Sequence, residues 1–354
     1  MQVSATTAGD TLDQDGYAVA LGGGAEQTLD LDGTVTFENV AEGDHEVAIS
    51  DVQVNCTTDG GATRTVAVAA GSTATTSFDV SCDPALFDRV VFHRDDGAGD
   101  GDLLLVAPDG SGVTAIRGGD GFDLFPSISP DGTRVAFQDR SGADSEIAVV
   151  DVDGSSFVQL TDNDAFDGST PTWAPDGSRI AFSSDRDGDS EIYVMDADGS
   201  NVVQLTDNDV FDVGPAWSPD GSRIAFASDL SGTRDIHVVD ATGGAPTRLT
   251  DDASSETGPA WSPDGTRIAF QRGGDLYVMD ADGSGVEPLA AVSGGSDQGP
   301  AWSPDGSRLV FTSDPDGDHE LYVVDADGTG LTKLLDAPAT DERLGSWGAA
   351  RSER

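Results

Sequence analysis

The sequence predicts an all-β protein: an N-terminal β-sandwich, then a six-bladed β-propeller closed by its C-terminal strand. Three observations carry that prediction. First, from residue 88 a unit repeats, marked by Ser/Ala-Pro-Asp-Gly with its proline at Pro130, Pro175, Pro219, Pro263 and Pro304. The intervals of 45, 44, 44 and 41 residues suit a four-stranded propeller blade. Second, Phe92, Phe137, Phe182, Phe226, Phe270 and Phe311 hold one column of that repeat, which counts six blades. Third, the first eighty residues break into short alternating runs separated by turn residues.

Those runs come first in the chain. QVSATT, GYAVAL, QTLDL, TVTFENV, HEVAIS, TRTVAVAA and TTSFDVSC read as about seven strands, which implies a sandwich over residues 1–83. Cys56 and Cys82 are the only cysteines. Both fall in this small β region, and they are expected to form a disulfide. Closing a loop of about 25 residues would contribute on the order of 3 kcal/mol in the chain-entropy model. A structural disulfide in turn implies an extracellular, periplasmic or cell-surface location.

The propeller is expected over residues 84–354. Each repeat runs P-x-W-S-P-D-G-S-R-I-A-F, then E-I-Y-V-M-D-A-D-G-S, then V-x-x-L-T. Strand a carries Trp173, Trp217, Trp261 and Trp302, with Ile128 in the earliest copy. Pro-Asp-Gly turns it into strand b, because Pro fixes φ and Gly accepts positive φ. Strands b and c are apolar on both faces, as blades packed on either side require. The first repeat lacks a strand a, whereas Trp347 follows Trp302 by 45 residues. The tail is therefore expected to supply that strand and to remove the open edges.

Charge narrows the function. Asp and Glu number 65 against 18 Lys and Arg, a formal net charge of -47, and Lys333 is the only lysine. Nucleic acid is not an expected partner, since phosphate binding needs positive charge. So acidic a folded state repels itself unless salt or bound cations screen it; high-salt adaptation and divalent-cation binding both fit. No run reaches the roughly 18 apolar residues of a membrane span. The first residues do not read as a secretion signal, with no basic stretch leading into an apolar one.

Because strands alternate in direction, the b–c and d–a loops share one face and the a–b and c–d turns the other. Asp residues of the turn face are explained by turn formation. On the loop face, Asp185, Asp187, Asp189 and Glu191, and again Asp314, Asp316, Asp318 and Glu320, place oxygens at alternate positions as a calcium loop does. Ca²⁺ is the expected cofactor there. A second pattern places an acid five or six residues before each strand-a aromatic: Asp123, Asp167, Asp212, Glu256, Asp297, and Asp341 beside Glu342. These six are expected to ring the channel mouth, where converging carboxylates need a cation or a basic group. His45, His93, His237 and His319 stand in non-equivalent columns and read as lone surface histidines.

The repeats resemble the PD40, or TolB-like, propeller family over residues 88–349. Gly33-Thr-Val-Thr-Phe-Glu-Asn-Val-Ala-Glu-Gly-Asp-His-Glu-Val47 resembles the core of carboxypeptidase-regulatory-like and PEGA-like domains, which are accessory or adhesive modules. The propeller resemblance implies a fold shared by binding proteins, peptidase lids, lyases and surface modules. A peptidase reading lacks the G-x-S-x-G elbow. The reading is thus a non-enzymatic binding or surface-structural protein, with a protein or cell-surface partner or a second copy of itself. The alternative is a carbohydrate-active hydrolase or lyase using loop-face carboxylates. It would need a deep pocket with two carboxylates about 5–10 Å apart, flanked by aromatics.

Overall fold

Every regular element in the computed structural model is a β-strand. It describes residues 2–8, 17–21, 27–29, 34–37, 40–50, 56–58, 63–69, 73–82, 89–95, 101–118, 121–142, 144–290, 292–335 and 340–348. The chain divides into two compact units, one ending at Phe87 and the other running from Asp88 to Ser352.

The first unit holds two four-stranded sheets. One is ordered Thr34–Thr36, Gln2–Ala8, Thr75–Cys82, Cys56–Thr58; the other Gln27–Leu29, Tyr17–Leu21, Gly43–Ser50, Thr63–Val68. Alternation decides which side chains are buried: Val47 and Ile49, then Val66 and Val68, are enclosed while their neighbours are not. Cys56–Thr58 is a strand that the sequence did not show, being short and polar. Its register sets Cys56 directly opposite Cys82. The side chains of these two cysteines lie outside the described residues.

The second unit holds six four-stranded sheets. In the third, Asp167–Trp173 is strand a, Arg179–Ser184 strand b, Glu191–Asp196 strand c and Val203–Gln204 strand d. Strands b and c are buried almost throughout, and strand d is a two-residue rim. The first sheet takes its strand a from the far end of the chain: Asp341–Trp347 pairs antiparallel with Val90–Asp95. Apolar clusters fill each junction between consecutive sheets, and Val310, Leu321 and Val323 of the sixth pack with Phe92, Leu344 and Trp347 of the first.

Two further contacts tie sheet to sheet. The indole N–H of Trp173 donates to Ser127 O at 3.1 Å, and that of Trp302 to Ala260 O at 3.1 Å, each reaching the preceding strand a. From the second sheet on, the arginine opening strand b lies over the Trp ring of the next sheet's strand a: Arg134 over Trp173, Arg179 over Trp217 and Arg308 over Trp347, at 4.7–5.2 Å. On the turn face, Asp220 Oδ1 accepts from Ser218 and Ser222 hydroxyls and the Ser222 N–H. Those bonds hold its carboxyl down at about 2. Gly221 supplies the φ of 67° that closes the turn.

Candidate functional site

The loop face is built by strand ends. Strand a has an acid at or beside its start, strand c of the second to sixth sheets begins with another, and the d–a loop runs between them. At the junction of the second and third sheets, Glu146 opens strand c and Asp167 opens the next strand a. Asn163 bridges them: its N–H donates to Glu146 Oε1 at 2.9 Å and its side-chain amide to Asp167 Oδ2 at 2.6 Å. The Thr161 hydroxyl donates to Glu146 Oε2 at 2.5 Å. The next junction repeats this with Asn208, which donates to Glu191 Oε1 at 2.6 Å and to Asp212 Oδ2 at 2.8 Å. The motif Leu-Thr-Asp-Asn-Asp-x-Phe-Asp, present at 160–167 and 205–212, encodes the bridge.

The acids expected at an open channel mouth are therefore enclosed between sheets. Asp167, Asp212, Glu256 and Asp297 are fully buried and Asp123 nearly so. The sixth member of the column is Glu342, not Asp341. Glu342 pairs in register with Arg94 and its N–H donates to His319 O, as the Asp212 N–H does to Ser190 O. Asp341 is shifted outward, where its Oδ1 accepts from the His319 N–H at 2.9 Å. Glu342 stands five residues before Trp347, the spacing that Asp212, Glu256 and Asp297 keep from their tryptophans on strands with one register shift; Asp167, whose strand has two shifts, stands six before Trp173.

Most junctions neutralise these acids internally. Arg117 reaches Asp123 at 2.8 Å and Arg186 reaches Asp167 at 2.8 Å. Arg248 meets Asp235 and Arg272 meets Glu256, at 2.8 and 2.6 Å. At the closing junction Lys333 meets Glu320 at 2.9 Å and Arg94 meets Glu342 at 3.0 Å. Burial outweighs the Arg117 charge at Asp123 and pushes that carboxyl up to about 6. Among the described residues Glu191 has no such partner; burial pushes it up to about 7, with Asp212 adding to the rise.

The two calcium-like loops do not gather their oxygens. Asp185 Oδ1 accepts from the Phe166 N–H at 2.7 Å, Asp187 takes the Gln204 amide, and Glu191 takes Thr206 and Asn208. In the second loop Asp314 accepts from the Ser296 N–H at 2.6 Å and Glu320 pairs with Lys333, while Asp316 and Asp318 are exposed. Among the described residues, no three His, Cys, Asp or Glu side chains are arranged to hold a metal. His93 and His237 are buried, contrary to the surface reading. His237 takes the aromatic position against Phe226, and burial drives His93 down to about 3. Of the acids that open strand c, Glu191 and Glu320 were expected only as calcium-loop ligands; the column they form with Glu146 and Asp235, which pairs with the strand-a acids, is shown by the structure.

A cleft of about 540 Å³ opens beside the second sheet, lined by Asp139, Asp144, Glu146, Asp162 and Asp164 with no aromatic side chain. Three large apolar side chains stand exposed on the same face: Phe166 at 43%, Phe211 at 55% and Leu230 at 51%. Phe211 O accepts from the Asp229 N–H at 3.2 Å, which places Phe211 and Leu230 on adjoining loops.

Among solved structures, a protein assigned as TolB in Agrobacterium tumefaciens aligns with TM-score 0.61 and 24% identity, over 74% of this chain and 93% of that one. TolB from Acinetobacter baumannii aligns with TM-score 0.65 and 19% identity, over 88% and 81%. The hydrazine synthase of Kuenenia stuttgartiensis gives 0.62 and 17%, over 73% and 46%. At such identities the likeness is one of fold. No curated protein sequence matches the chain. The sequence itself matches the TolB beta propeller domain, PD40, at residues 111–213 and 206–293, together more than half of the chain. With the repeat, the six sheets and this match in agreement, the chain belongs to the TolB beta propeller domain family.

Proposed function

We propose that this protein is a non-enzymatic, extracytoplasmic binding or surface-structural protein whose loop face docks a protein or cell-surface partner. One observation carries the reading: Phe166, Phe211 and Leu230 are exposed on a face otherwise dense in carboxylates. Apolar anchors within a charged rim are the usual anatomy of a recognition patch. A partner with basic side chains around an apolar contact would match both properties. The acidic cleft lacks the aromatic flanks of a sugar site, which favours binding over glycoside chemistry. Cations, calcium among them, would hold down the repulsion of this face.

A photo-crosslinking residue placed at Phe211, and another at Ser222 on the turn face, tests the reading in cells of the source organism. Adducts with one protein or with a second copy are expected from position 211 alone. Equal labelling from both positions, or none, would sink it.

A further inference from the structure

In the second to fifth sheets, the residue before the strand-a acid occupies one equivalent place. Its carbonyl accepts from the N–H that follows strand b, at 2.9 Å for Phe122, 3.4 Å for Phe166, 3.2 Å for Phe211 and 3.4 Å for Ser255. Ser255 is exposed and makes the same bond, so the backbone does not require a ring here. Phe166 and Phe211 are nevertheless aromatic and stand well exposed. Each follows two exposed acids on its own loop, Asp162 and Asp164 in one, Asp207 and Asp209 in the other.

One of the two rings shows what such a place accepts. The Arg140 guanidinium lies over Phe166, 4.9 Å from the ring centroid. Arg140 is the residue that follows strand b of the preceding sheet, and one sheet further on Asp185 holds that position. Phe211 thus keeps the acids of its loop but lacks the arginine: among the described residues no cation lies over its ring. Leu230, exposed on the adjoining loop, adds an apolar flank.

We propose that Phe211 and Leu230 dock an arginine-bearing peptide segment of another protein, whose guanidinium stacks on Phe211 as Arg140 stacks on Phe166. This role rests on the docking reading above and gives the partner a definite chemistry. Arginine suits the place better than lysine, since its flat, weakly hydrated guanidinium covers a ring while its N–H groups reach carboxylates. Asp207 and Asp209 supply the carboxylates, and Leu230 meets an apolar neighbour of the arginine. A second copy of this chain is a poor occupant, because it brings the same net charge of -47.

The test measures binding of two labelled peptides of equal length, alternating Leu-Arg and alternating Leu-Lys, to the full-length protein at fixed ionic strength. Wild type should bind the arginine peptide roughly fivefold more tightly. Phe211→Ser, which copies Ser255 of the next sheet, should melt as wild type does and lose that preference. Phe211→Leu, which keeps apolar bulk without a ring, should lose it as well. Asp185→Arg, which copies Arg140, should cover the ring from within the chain and abolish the preference, whereas Asp185→Ser should retain it. Equal binding of both peptides by wild type, or a preference that survives both Phe211 variants, overturns the arginine site; crosslinks from position 211 would still leave the general docking reading standing. If wild type dimerises and Phe211→Ser abolishes the dimer, the occupant is a second copy and the arginine site falls.

Discussion

Arg94 Nε lies 3.0 Å from Glu342 Oε1, an ion pair between residues 248 positions apart that joins the first strand of the propeller unit to its last. Glu342 is fully buried and Arg94 mostly so. Around this pair, Leu344 and Trp347 complete the cluster holding Phe92 and Val310. Removing residues 341–354 would strip the strand that covers Val90–Asp95. Loss of one buried Trp alone costs about 3–5 kcal/mol, so the truncated protein should melt well below the full chain. Unchanged melting would refute the role of this strand. Gly345→Val is a gentler version, since a Cβ there runs into the Pro126 carbonyl.

Arg186→Leu removes the basic partner of Asp167 at the junction of the second and third sheets. It leaves Asp167 buried with Asn163 and Ser184 as its remaining partners. Breaking one side of a buried pair costs about 3–5 kcal/mol. Urea unfolding should show a loss of that order. A loss under about 1 kcal/mol would mean that the pair behaves like an exposed one.

Asp123 gives a pH dependence with a definite sign. Its carboxyl titrates at about 6 when folded, above its ordinary 3.8, with burial as the main cause. The folded state therefore holds that proton more tightly than the unfolded chain. The resulting stabilisation is complete below pH 3.8 and is lost as pH rises to about 6. The turn aspartates act oppositely: Asp220, held at about 2, loses its contribution as pH falls from 3.8. Subtracting the stability of Asp123→Asn from that of wild type isolates the first effect. A flat difference between pH 4 and 6 would contradict it.

Cys56 and Cys82 are directly opposed on antiparallel strands. Facing positions there bring Cα atoms about 4.5–5.5 Å apart, within the span of a disulfide. Unfolded, unreduced protein should react with no thiol reagent. Two titratable thiols would exclude the bridge and remove one argument for an oxidising compartment.

What the sequence determined by itself is everything that repeats along the chain. The Phe and Trp columns, the Pro-Asp-Gly turns and the position of Trp347 follow from spacing, because strand alternation and turn chemistry are local rules. An acid at the head of each strand a was legible in the same way. Only tertiary structure decided what those acids meet. Asp212 and Glu191 come from different sheets, and Arg186 acts on Asp167 across a loop, so their partnership depends on how one sheet stacks on the next. The choice of Glu342 over Asp341 is settled by register, which sets Glu342 against Arg94, in agreement with the five-residue spacing of Asp212, Glu256 and Asp297. His93 and His237 misled for the same reason: a polar ring is buried wherever its register, rather than its chemistry, points it inward.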